Sequence, residues 1–60
     1  MRIRVYSLPC NQIGRAIVTH LIQNPNVKIL KLSARPHYLQ VTVTEGYQTV
    51  ERVMIRFGLR

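Results

Sequence analysis

The chain has 60 residues, nine of them Lys or Arg and only two acidic, for a formal net charge of +7, and it contains one cysteine. A chain this short makes one small domain, residues 1–60, that buries only about 60% of the surface its unfolded form exposes. One cysteine excludes a disulfide framework, the absence of a Cys/His cluster excludes a structural zinc, and apolar runs of at most three residues exclude a membrane-spanning helix.

In chain order, Arg2-Ile3-Arg4-Val5-Tyr6 alternates, which predicts a strand with Ile3 and Val5 on one face and Arg2, Arg4 and Tyr6 on the other. Ser7 to Asn11 ends it, with Pro9 stopping the ladder and Asn11 offering its side chain to the free amides of a new helix. From Gln12 to Asn24 the apolar residues Ile13, Ala16, Ile17 and Leu21, flanked by Val18 and Ile22, follow helical spacing. Gly14 weakens that helix by roughly 1 kcal/mol relative to alanine, and Asn24-Pro25-Asn26 stops it.

Val27 to Leu32 and Tyr38 to Thr44 read as two strands of a hairpin, broken by Ala34-Arg35-Pro36-His37. The second alternates strictly, with Leu39, Val41 and Val43 inward and Tyr38, Gln40, Thr42 and Thr44 outward. The first phases with Leu30 and Leu32 inward and Val27, Ile29, Lys31 and Ser33 outward. Glu45-Gly46 turns the chain into a helix over Tyr47 to Phe57, where Val50, Val53, Met54 and Phe57 fall at i, i+3, i+4 and i+7. Gly58 suits the left-handed residue that closes a helix, with Leu59 folding back toward Met54.

The predicted fold is α+β, in the order β-α-β-β-α, with two helices packed on one face of a three-stranded antiparallel sheet. This order resembles the ferredoxin-like split fold without its last strand, and it places the first strand at an edge. A small core makes a homo-oligomer an expected partner state.

On the face away from the helices, basic side chains around tyrosines are the ingredients of single-strand recognition, in which cations meet phosphates and bases stack on aromatic rings. That reading assigns phosphate contacts to Arg2, Arg4, Lys31 and Arg35 and stacking to Tyr6 and Tyr38. The same face also reads as a solvated sheet surface. A second functional reading is a protein-interaction module, an inhibitor or adaptor. It binds an acidic partner by strand addition at the first strand, or through Arg52, Arg56 and Arg60 on the last helix.

Val5-Tyr6-Ser7-Leu8-Pro9-Cys10-Asn11-Gln12 resembles the opening of the small glutaredoxins, in which a first strand runs into a proline-containing loop and a reactive cysteine. The likeness covers roughly the first 23 residues and implies a thiol role for Cys10. Ile13 departs from the pattern at the place of the second cysteine of the usual pair. The residue-level reading of Cys10 is a small, partly buried hydrophobe. His20 is placed at the margin of the first helix and His37 in the hairpin turn, with no carboxylate or thiol spaced to complete a metal site with either. Two glutamates, no aspartate and no glycine-rich phosphate loop leave little for acid-base or phosphoryl-transfer chemistry. The sequence therefore points to a non-enzymatic, cytoplasmic binding protein, with no cofactor, no metal and no membrane partner.

Overall fold

A computed structural model describes residues 2–59. The elements run β1 (Arg4–Pro9), α1 (Gln12–Gln23), β2 (Lys28–Ala34), β3 (Tyr38–Glu45) and α2 (Tyr47–Arg56). The strands form one antiparallel sheet in the order β1-β3-β2. Since β1 and β2 are each antiparallel to β3, they run parallel to one another on either side of it. Both helices cover the same face: Ile17 and Leu21 of α1 and Val50 and Met54 of α2 share one buried cluster with Leu8, Val41 and Val43. The architecture is the one predicted, with β1 as a sheet edge.

Local chemistry explains where each helix starts and stops. The Asn11 side chain accepts hydrogen bonds from the Ile13 and Gly14 amides at 2.9 and 3.2 Å, capping α1. At its other end the Asn24 side chain accepts from the Asn26 amide at 2.9 Å, and the Asn24 carbonyl accepts from Val27 at 3.1 Å, turning the chain into β2. Gly46 takes a left-handed φ of 87° at the start of α2. At the end of α2, Gly58 has φ 80°, its amide bonds to the Ile55 carbonyl, and the Leu59 amide reaches back to Met54 at 3.0 Å. This pair of bonds is a Schellman cap, as the Gly58-Leu59 pair predicted.

Gly14 has a packing role beyond its low helix propensity. A Cβ on it would stand 1.8 Å from the Pro9 carbonyl oxygen. The first turn of α1 thus lies directly against the end of β1, an approach only glycine permits.

Two strands differ in phase from the sequence reading. β1 extends through Ser7 and Leu8 to Pro9, and it buries Tyr6 (7% exposed) and Leu8 (1%) rather than Ile3 (52%) and Val5 (53%). Tyr6 is opposite Val41 and Leu8 opposite Leu39, on the helix-covered face of β3. Ile3 and Val5 offer an alternation of the same period, but Ile3 precedes the first paired residue, Arg4. The Tyr6 and Leu8 pair buries more apolar surface at the middle of the ladder.

In β2, register shifts between Lys28 and Ile29 and between Ile29 and Lys31 break the alternation. Val27 is buried and Ile29 packs on the core, while Leu30 is exposed; Leu32 keeps the expected inward phase opposite Val41 but is half exposed at the sheet edge. Beyond the shift, Lys31 and Ser33 pair with Thr42 and Gln40 on the open face, as expected. Ile13 and Ile22 of α1 also stay exposed, because Gly14, Ile17 and Leu21 are the residues that face the sheet.

Candidate nucleic-acid interface

The face of the sheet opposite the helices is built by alternate residues of all three strands. Tyr38, Gln40 and Thr42 of β3 are flanked by Pro9, Ser7 and Val5 of β1 on one side. On the other side Gln40 and Thr42 are flanked by Ser33 and Lys31 of β2. No helix covers this face, and no pocket is formed among the described residues, so the candidate site is a surface.

Three of the six sequence-assigned residues come together here. Tyr38 is 37% exposed and sits opposite Pro9, making a partly apolar platform at one end of the sheet. Arg35, in the turn between β2 and β3, donates from Nη2 to Gln40 Oε1 at 3.4 Å, which draws its guanidinium over the same end. Its backbone amide donates to the Tyr38 carbonyl at 2.8 Å, tying the turn to the first residue of β3. Lys31 lies on the open face beside Thr42. Neither glutamate lies there: Glu45 has the parity of Val43 and pairs with Lys28 at 3.6 Å, and Glu51 is on α2. Two bases and an aromatic ring thus share a face on which the described residues place no acid.

The other three assigned residues go elsewhere, because β1 has the opposite phase. Tyr6 is a core residue and cannot stack on a base. Its hydroxyl is buried without a partner at hydrogen-bond geometry among the described residues. Arg4 turns toward α2, where its Nη1 lies 3.0 Å from Glu51 Oε2 and its guanidinium carbon stands 4.9 Å from the centre of the Tyr47 ring. The adjacent Tyr6 hydroxyl, and then the electrostatic pull of Tyr6, Glu51 and Tyr47, hold the Arg4 pKa above its ordinary value against the opposing effect of desolvation. Arginine is charged throughout the accessible pH range in any case. Arg2 is exposed, and its carbonyl shares the single hydroxyl proton of Tyr47 with the Thr44 carbonyl.

Sequence reasoning placed Gln40 on the open face without a role, and it missed Ser7 and Val5 there. The signal for the latter pair was available: Leu8 continues the alternation of Tyr6 up to Pro9, and a strand ending at Pro9 would have brought Ser7 to the open side.

Of the remaining candidates, Cys10 is exposed rather than partly buried, because it stands just outside the Asn11 cap and beyond the last strand residue. His20 packs at a tilt against Phe57, with ring centres 5.4 Å apart, and His37 is exposed in the turn. Among the described residues no three His, Cys, Asp or Glu side chains group to hold a metal. Arg52 and Arg56 are exposed on α2, and Arg60 lies outside the described residues. Among the described residues no helix is long and apolar enough to cross a membrane. Comparison with protein-family models, with curated proteins and with solved structures finds no match for this chain.

Proposed function

We propose that the protein binds single-stranded nucleic acid across the open face of its sheet, without catalysing a reaction. The observation that carries this reading is the convergence of Lys31, Arg35, Tyr38 and Gln40 on one uncovered face free of acidic side chains. Lys31 and Arg35 neutralise phosphates, Tyr38 stacks on a base beside Pro9, and the Gln40 amide hydrogen-bonds to a base edge or the sugar. Arg2, Arg4 and Tyr6 take no direct part. The chain's net charge of +7 raises the encounter rate with any polyanion, and the face supplies the preference for an unpaired strand.

The test is binding of labelled single-stranded and duplex RNA and DNA at about 50 and 200 mM salt, a range over which several phosphate contacts weaken affinity by orders of magnitude. Single strands should bind more tightly at both salts. Lys31→Ala and Arg35→Ala should each reduce the slope of log affinity against log salt by about 0.7, the contribution of one phosphate on a single strand. Equal affinity for duplex and single strand, with slopes unchanged in both variants, would sink the proposal.

A further inference from the structure

We propose that the outer edge of β1 accepts an extended strand from a partner protein, one in which acidic and apolar residues alternate. This site borders the open face along β1 but uses none of Lys31, Arg35, Tyr38 and Gln40, and it does not depend on nucleic-acid binding there.

The sheet has two edges, and they are not equivalent. β2 carries two register shifts and the exposed cations Lys28 and Lys31, devices that interrupt an incoming ladder. β1 has none of the former: its six residues pair with β3 in unbroken register from Arg4 to Pro9. Its outward backbone groups are therefore regularly spaced for a further strand, up to Pro9, which has no amide to give.

The surroundings of that edge specify what the strand must carry. Val5, on the open face, is more than half exposed, as is Ile3 just before the strand, and an added strand places its own residues beside Val5, where apolar side chains gain most. On the helix side, Arg4 stands at the edge, with its side chain half exposed in spite of its contact with Glu51. The residues of an added strand on that side meet this guanidinium, and an acidic side chain is the one that matches it.

α2 extends the site. Tyr47, Glu51 and Ile55 are spaced at i, i+4 and i+8 and so share one flank of the helix. Tyr47 and Glu51 reach the Arg2 carbonyl and Arg4, so this flank lies along β1. Ile55, 57% exposed, is its remaining apolar member and is placed to cover one side of an incoming strand. A second copy of this chain is a poor occupant. It brings another +7, and its two glutamates are already engaged with Lys28 and Arg4.

A fluorescent peptide of about eight residues alternating Val and Glu, of the length of an ordinary strand, tests this. It is compared with two versions N-methylated on alternate residues, one in each phase, which keep charge and composition but remove the amide donors of one peptide edge. One methylated phase should lose affinity by about tenfold or more, while the other binds as the parent does, since only one edge of the peptide faces β1. Amide exchange should slow along β1 and not along β2 when the parent peptide binds. Ile55→Ser, at an exposed position, should weaken binding severalfold, and Tyr38→Ala should leave it unchanged. Both methylated peptides binding like the parent would mean charge attraction alone and overturn the proposal. So would slowed exchange confined to β2, or a dimeric free protein whose β1 amides are already protected.

Discussion

The two tyrosines assigned to stacking from the sequence should behave oppositely when replaced by alanine. Tyr6 is 7% exposed and sits beside Val41 of β3 beneath the helices. Truncating a buried aromatic to alanine costs about 3–5 kcal/mol. A 60-residue domain has in total about 3–9 kcal/mol at typical stability per residue. Tyr6→Ala should therefore lower the melting temperature by about 12–40 °C, at roughly 4–8 °C per kcal/mol for a domain of this size, a loss that exhausts the lower part of that stability range. Tyr38 lies on the open face, so Tyr38→Ala should shift melting by only a few degrees while weakening single-strand binding by about 1–3 kcal/mol per stacked base. Far-ultraviolet circular dichroism on heating gives the first quantity and fluorescence anisotropy with a labelled oligonucleotide the second. A Tyr6→Ala protein that melts normally but no longer binds would refute both the phase of β1 and the assignment of the site.

Three further outcomes follow from the geometry. Gly14→Ala should destabilise although alanine is the better helix former by about 1 kcal/mol, because its methyl meets the Pro9 carbonyl; the overlap costs about 3 kcal/mol at the upper end of overpacking effects, so urea denaturation should show a net loss of about 2 kcal/mol, and a gain would contradict the packing of α1 on β1. Gly58→Ala meets no steric neighbour but must hold φ near 80°, and should cost about 1–2 kcal/mol in the same assay. Cys10, being exposed, should react with an aromatic disulfide reagent in the native protein as fast as in urea; Cys10→Ser should leave nucleic-acid affinity unchanged, and a loss of function would revive a thiol role.

Most of the fold was legible in the sequence because its punctuation is chemical: Asn11, Asn24, Gly46 and Gly58 act where they stand, through local hydrogen bonds or left-handed backbone. β3 was equally legible, since its alternation is strict and it is central, with a neighbour on each side to hold its register. The edge strands were not. Ile3 and Val5 against Tyr6 and Leu8 are two apolar sets of opposite parity, and a shift of one residue moves every side chain to the other face. Which set wins depends on the pairing with β3, which no local pattern encodes. The shifts in β2 exchange the roles of Ile29 and Leu30 for the same reason. The site inherited this limit: Lys31 and Tyr38, on the hairpin strands, lie on the open side as their pattern indicated, while Arg4 and Tyr6, on β1, do not.

The central position of β3 also bears on how the chain assembles. β3 meets β2 across a short turn, but it meets β1 only after the chain has closed a loop through α1 and β2, with Arg4 finding Val43. Closing the longer loop costs more entropy before any contact repays it. The hairpin is thus the natural nucleus and β1 the late arrival, so substitutions in the hairpin should slow folding while those in β1 should mainly speed unfolding. A chevron analysis of Val41→Ala against Leu8→Ala separates the two. By the same argument β1 should be the first strand to leave the sheet on unfolding, and with it would go Tyr6, Leu8 and one wall of the core.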